Sequence, residues 1–290
     1  VIEVIAPGLL SSVRDLGRHG VARWGISAGG AADPLALRIG NRLVGNGDDA
    51  AAIEMTLLGA TLRFTVDTVA ALTGADFGAT LDGVSVPVWR TFEVKAGQVL
   101  QCGATRDGAR AYIAVRGGIE GGVLRKGERL SIGTAVCGNA RGAVRPEWLG
   151  RFAPRRRLRV TTGPEAEEFS ADALRTFYAA SYTVREESNR DGLRLDGPRI
   201  ESPFGGAMIT EGVSLGAVQV PSNGQPIILF VDRQTTGGYP IIANVITADQ
   251  SSVAQLRPRD SITFEPVAMD RARELLFELE ASLKAEAFDS

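Results

Sequence analysis

The sequence predicts a mostly-β protein of two related β-barrel domains with a few short helices. Three observations carry that prediction. Short β-rich runs bounded by Gly, Asp and Pro dominate the chain, and their close spacing argues for barrels or sandwiches. Helical periodicity surfaces at only three places. The two halves also share a weak architectural echo: Asp82-Gly83 and Asn223-Gly224 each punctuate a hairpin, and a turn plus closing strand follows each. The domains are expected over residues 1–150 and 151–290, each large enough for its own core.

Taken in order, Val1-Ile2-Glu3-Val4-Ile5 opens as a strand and not as a signal peptide. It lacks an initiator Met, which leaves room for an upstream terminus. Asp33-Pro34 starts a helix through Leu35, Leu37, Ile39 and Leu43, with Asp33 as N-cap and Pro34 at the first helical position. Ala60–Val66 and Ala111–Val115 alternate as strands, and Ala96–Leu100 supplies a turn and closing strand. Arg151–Arg157, charged and Pro-containing, reads as the interdomain linker. Its arginines read as a solvated connector, because the overall charge balance is acidic. Leu158–Thr161 is a strand, Pro164 begins a Glu-rich helix through Phe177, and Pro226–Val231 is a buried strand. Pro258–Ile262 closes the second half, and Asp270–Ala287 forms a C-terminal helix with Leu275, Leu276, Leu279 and Leu283 at helical spacing.

Composition excludes several functions. A formal charge of −2 with pI near 5.7 leaves no electrostatic footprint for nucleic acid. Lys95, Lys126 and Lys284 are the only lysines, and none sits in the Gly-Lys-Ser/Thr context of a phosphate loop. None sits between methionines, so no covalent biotin is expected on this chain. Cys102 and Cys137 have no metal or disulfide spacing and are expected to be small buried hydrophobes. No apolar run approaches the roughly 20 residues a membrane span needs, and the cytoplasm is the expected compartment. His19 is the only histidine, so a Ser-His-Asp triad has one place to form and a multi-histidine metal site is excluded.

Three regions concentrate polar chemistry. Ser27–Asp33 puts a Gly-rich loop at a helix start, where free N–H groups suit a carboxylate or phosphate unless Asp33 caps the helix itself. Nearby, Asn41 and Asn46 flank an apolar pair. Glu54 beside Ile53 and Met55 is either half buried or a surface strand residue. The second half supplies Arg190, Asp191 and Arg194, then Glu211 and Gln219 at the two ends of one strand region. Finally, Asp232-Arg233-Gln234-Thr235-Thr236-Gly237-Gly238-Tyr239-Pro240 follows the strand Pro226–Val231. There Gly237 and Gly238 are free to take positive φ and admit a backbone or ligand. Its plainer reading is a turn that caps backbone groups.

These segments carry a family resemblance. In the first half the residues are Ser12–Arg18, Gly29–Asp33, Asn41–Asn46, Ile53-Glu54, Thr73–Asp76 and Ala114–Ile119. In the second they are Gly192–Leu195, Glu211–Val213, Gly216–Pro221 and the Asp232–Pro240 block. Together they resemble the 5-oxoprolinase C-component (KipA-like) family, also called allophanate hydrolase subunit 2 or biotin-dependent carboxyltransferase-like proteins. Arg14, Ala32 and Arg259 depart from its usual Gln, Met and Gly. Family members also carry a longer hydroxyl-rich loop after the position of Ile119-Glu120-Gly121-Gly122. The abrupt join here reads as the place of a mobile, lid-like loop in preference to a deletion.

The resemblance implies two cyclophilin-like β-barrel domains and a C-terminal helix. It further implies a complex with a KipI-like and a LamB-like subunit that opens a lactam with ATP, the nucleotide held by or shared with a partner. The alternatives are an allophanate hydrolase or urea-carboxylase-type carboxyltransferase component, and a non-enzymatic KipA-like antagonist of a KipI-like kinase inhibitor. Under the leading reading Arg233, Gln234, Thr235 and Thr236 contact the amide or an activating phosphate, with Glu54 among the catalytic groups. Asp33, Asn41 and Arg190 bind substrate, Glu211 and Gln219 orient the loop, and Gly237, Gly238 and Tyr239 complete its wall.

Overall fold

The Val-, Ile- and Phe-rich runs form strands parted by Gly and Asp turns in a computed structural model that describes residues 1–289. The protein is mostly β, with five short α-helices among the described residues. The chain divides into two units.

The first unit comprises Val1–Gly17, Asp33–Ala153 and the tail from Ser282. Its strands form two sheets. One runs in the order Ile119–Glu120, Arg129–Ile132, Ile2–Ala6, Thr61–Phe64, Val99–Gln101, Thr80–Leu81, Val84–Ser85. The other runs Leu10–Arg14, Ala52–Thr56, Arg110–Val115, Thr68–Gly74, Arg90–Val94. Alternation turns Ile2, Val4, Leu62, Phe64 and Leu100 inward, with Ile53, Met55 and Ile113 from the second sheet in the same core. Asp82 and Gly83 both take positive φ between Thr80–Leu81 and Val84–Ser85, the geometry a two-residue hairpin needs.

Helix Pro34–Val44 is set by local chemistry. Asp33 Oδ1 accepts from Ala36 N at 3.0 Å, Pro34 fills the first position, and Gly45 ends the helix at φ 77°. Gly40 lets the helix lie against strand Thr68–Gly74, because a Cβ there would meet Thr73 Oγ1 at 2.9 Å.

The second unit comprises Arg18–Ala32 and Pro154–Ala281. Its strands close into a barrel in the order Arg157–Thr162, Ile241–Val245, Ala217–Gln219, Ile227–Leu229, Gly192–Asp196, Tyr182–Val184, Ser261–Pro266. Parallel pairing of Arg157–Thr162 with Ser261–Pro266 closes the ring and removes free edges. Phe177 stacks on Phe264 at 4.5 Å between centroids, with Tyr182 beside them. Tyr182 is fully buried and its hydroxyl has no hydrogen-bond partner among the described residues; burial raises its pKa. An unmatched buried hydroxyl costs about 1–3 kcal/mol. Tyr182→Phe is therefore expected to stabilise the protein by about 1 kcal/mol, read as a higher denaturant midpoint; a lower midpoint would refute this.

Several expectations are corrected. A cut between residues 150 and 151 does not describe the units, since Arg18–Ala32 joins the second and the tail from Ser282 the first. Long-range bonds are the reason: Ser27 Oγ donates to the Val231 carbonyl, and Arg145 N and Asp289 N bond across Ala143–Arg145 and the tail. The helix expected from Pro164 begins at Ala171, because extended Ser170 caps Ala173 N at 3.1 Å; Ala166–Glu168 is a separate 3-10 turn. The C-terminal helix spans Met269–Ser282 and Ala285–Ala287 is a 3-10 turn. Glu211 and Gln219 lie on two strands, Glu211–Gly212 and Ala217–Gln219, parted at Gly216 with φ 81°. The chain also runs directly from strand Ile119–Glu120 into Gly122, whose carbonyl accepts from Val13 N at 2.8 Å. That connection is short and anchored, and no lid-like loop intervenes there among the described residues. Cys102 is buried, which pushes its thiol up to about 12, whereas Cys137 is exposed.

Candidate functional site

The Asp232–Pro240 loop leaves the barrel after strand Ile227–Leu229. Arg190 holds its first residue: Nε and Nη2 donate to Asp232 at 2.6 and 3.2 Å. Nη2 also donates to the Gly30 carbonyl at 2.7 Å. The forked geometry is a two-point guanidinium–carboxylate pair, with the arginine only 11% exposed. Arg190 thus grips protein groups where a substrate contact was expected.

Further along the loop, Thr236–Gly237 pairs with Glu211–Gly212 as a small two-stranded sheet. Neither Gly237 nor Gly238 has positive φ. Their need for glycine is steric: a Cβ on Gly237 would lie 2.6 Å from Gln219 Nε2 and 3.0 Å from Val213 Cγ1. One on Gly238 would lie 3.1 Å from the Met208 carbonyl oxygen, and Met208 N donates to the Gly238 carbonyl at 2.9 Å. Gly237→Ala is expected to cost about 1–3 kcal/mol through overpacking, measured by urea denaturation; an unchanged midpoint would contradict the packing.

An open cavity of about 380 Å³ lies beside this loop and is lined mainly by polar groups, among them Asp191, Arg194, Gln219, Asn223, Gln234 and Tyr239. Of the expected residues it gathers Gln219, Gln234 and Tyr239. Gln219 is 1% exposed, and its Nε2 donates to the Tyr239 carbonyl at 3.4 Å. Arg233, Thr235 and Thr236 lie on the loop but outside the cavity lining. Arg233 is half-buried, its Nε 3.4 Å from the Val213 carbonyl, and desolvation lowers its pKa. Glu211 is exposed on its two-residue strand.

Asp191 and Arg194 join the lining, and sequence reasoning had grouped them with Arg190 without giving them a role. The local signal is Asn189-Arg190-Asp191-Gly192. Asn189 Oδ1 accepts from Asp191 N at 2.8 Å and Gly192 N at 3.2 Å, a side-chain turn that presents Asp191 at a strand start. Arg194 makes no salt bridge among the described residues.

Asp33, Asn41 and Glu54 belong to the first unit, and each serves its scaffold. Tyr112 is fully buried; its hydroxyl donates to Glu54 Oε2 at 2.6 Å and accepts from Asp33 N at 2.8 Å. Burial, then the charges of Glu54 and Asp33, holds Tyr112 well above the usual phenol range. Asp33 caps its helix, which settles the alternative left open for that terminus. Asn41, 0% exposed, donates to the Ala50 carbonyl at 2.6 Å. Glu54, 3% exposed, is not a surface residue. Sequence reasoning missed Tyr112, although strand register sets it directly opposite Glu54.

His19 is exposed, and among the described residues no cluster of His, Cys, Asp or Glu could hold a metal ion. No described helix is long and apolar enough to cross a membrane. The site therefore offers amides, a guanidinium and a carboxylate, a set suited to recognising a small polar molecule by hydrogen bonds.

Comparison with known proteins adds to this geometry. The family model described as "Carboxyltransferase domain, subdomain A and B" matches residues 24–266. The C component of the 5-oxoprolinase of Escherichia coli (strain K12) is 37% identical over 94% of this chain and 93% of its own length. The urea amidolyase of Saccharomyces cerevisiae is 31% identical over 98% of this chain but only 18% of its own. The crystal structure of the K. lactis urea amidolyase superposes with a TM-score of 0.87 at 28% identity, covering 99% of this chain and 20% of that one. The chain thus spans about a fifth of these amidolyases.

Proposed function

Because the chain belongs to the carboxyltransferase-domain family, subdomains A and B, we propose that it is the C component of a heteromeric ATP-dependent 5-oxoprolinase. Its part in the reaction is to bind the lactam of 5-oxoproline for hydrolysis to glutamate. The observation that carries this reading is the near full-length similarity, on both sides, to the C component of a known 5-oxoprolinase. The cavity beside the Asp232–Pro240 loop supports it. Arg194 offers a cation without a salt bridge for the substrate carboxylate, and Gln219 and Gln234 offer amide groups for the lactam. Arg233 stands on the same loop as a partly desolvated cation for charge developing on an activated oxygen.

No Gly-Lys-Ser/Thr phosphate loop exists in the chain, and the Gly-rich helix start that could have taken a phosphate is capped by Asp33 itself. The nucleotide is assigned to a site that a partner supplies or shares, and no step on this chain is routed through it. The partners are KipI-like and LamB-like subunits, and the complex is cytoplasmic. The test is the reconstituted complex with 5-oxoproline and ATP. Glutamate release only with all subunits present supports the reading, and none with the full set overturns it.

A second reading is favoured by the urea amidolyase superposition: a carboxyltransferase component that uses biotin carried on another chain. Urea has no carboxylate, so Arg194→Met separates the two readings. It should raise KM for an acidic lactam about tenfold, the loss of one charge-assisted hydrogen bond. Activity on urea should be unchanged by that substitution and abolished by avidin.

A further inference from the structure

Gln219 is built for more than packing. It ends strand Ala217–Gln219 at a register shift, where pairing with Ile241–Val245 slips between Val218 and Gln219. Such bulges re-aim side chains, and this one sets a carboxamide against the cavity. Gly237 clears the space it occupies. The amide is 1% exposed, yet its one hydrogen bond among the described residues is the 3.4 Å contact from Nε2 to the Tyr239 carbonyl. That length is beyond the usual N–H···O range. The carbonyl partner fixes Nε2 on that side and leaves Oε1 without a donor. A ligand that meets both groups completes the hydrogen bonding of this carboxamide.

Resting on the lactam-binding reading above, we propose that Gln219 is the specificity-determining residue of this cavity and reads a cis amide. A carboxamide presents a donor and an acceptor side by side in one plane. Its complement is a group with N–H and C=O on the same side. A small lactam is locked in that form, and urea has it too. A trans peptide amide directs the two groups apart, an ester or lactone lacks the donor, and a carboxylate offers acceptors alone. Pairing is then two antiparallel hydrogen bonds: substrate N–H to Oε1, and Nε2 to the substrate carbonyl. Gln219 thereby orients the carbonyl without taking part in bond breaking.

The test compares 5-oxoproline with its lactone counterpart, in which ring oxygen replaces N–H and the carboxylate is kept. Binding to the reconstituted complex is measured by calorimetry, alongside turnover, for the native protein, Gln219→Met and Gln219→Glu. The native complex should prefer the lactam by about tenfold or more, because an unmet site acceptor penalises the lactone. Gln219→Met should erase that preference by weakening lactam binding while lactone binding changes little. Should the methionine variant fail to fold, Gln219→Glu serves, since it keeps an acceptor but sets an oxygen against the lactam carbonyl. A folded variant that keeps the native preference overturns the proposal, and so does a native complex that binds neither acid. Binding preference without turnover would instead sink the hydrolase reading and leave this assignment supported.

Discussion

Asp249→Ala is expected to lower stability by about 3–5 kcal/mol, the range for breaking one side of a buried ion pair. The Asp249 side chain is 0% exposed, and Arg159 is 14% exposed. The carboxylate accepts from Arg159 Nε at 3.0 and 3.2 Å, from Nη2, and from the Arg159 backbone N at 2.8 Å. Removing it strands a guanidinium and an amide in the barrel wall where strand Arg157–Thr162 meets the 3-10 turn Thr247–Asp249. Urea denaturation measures the loss. A drop below about 1 kcal/mol, the scale of an exposed pair, would show that the site is wetter than its burial indicates. Replacing both partners with apolar residues, Arg159→Met with Asp249→Leu, should restore much of the loss, since no unpaired charge remains.

Arg190→Met is expected to reduce turnover of the reconstituted complex by about 100-fold, the penalty of roughly 1 Å of misplacement at a reacting site. Its guanidinium ties Asp232, the root of the loop, to the Gly30 carbonyl. Without it the loop loses its fixed origin, and Gln234 and Tyr239 lose their place in the cavity wall. Because Arg190 acts through the loop, kcat should fall even in protein that is still folded, beyond the loss of stability from leaving Asp232 unpaired, and Arg190→Lys should recover only part of the rate. A lysine cannot make the two-point contact. Native kcat in a folded Arg190→Met protein would remove the clamp from the account.

Legibility in the sequence followed distance along the chain. Asp33-Pro34 announced its helix because capping chemistry is local, and the structure shows the carboxylate three residues from the N–H it accepts. The Asp232–Pro240 loop was visible as polar residues and glycines directly after an apolar run. Gln234 and Tyr239 could be singled out for the same reason, and Gln219 as the polar end of an apolar strand region that shares the family resemblance. The roles of Arg190 and Asp249 were not visible. Their partners lie 42 and 90 residues away, and only barrel closure makes them neighbours. The burial of Glu54 was equally hidden, since it depends on Tyr112, 58 residues on and opposite it in the sheet. Gly237 was noticed for its backbone freedom, whereas its lack of a side chain is what the structure uses.

The interleaving of the two units bears on how the protein is made. Read from the N-terminus, unit membership alternates first, second, first, second, first. Phe288 is 3% exposed and bridges to Val144, and Leu283 is 1% exposed. The first unit therefore receives packing residues that lie beyond the whole Pro154–Ala281 stretch of the second, and it cannot finish folding before that stretch has been made. Cutting the chain before Leu283 should injure the first unit and not the second, and any attempt to express the halves separately must transplant residues 18–32 and the stretch from Ser282 along with them.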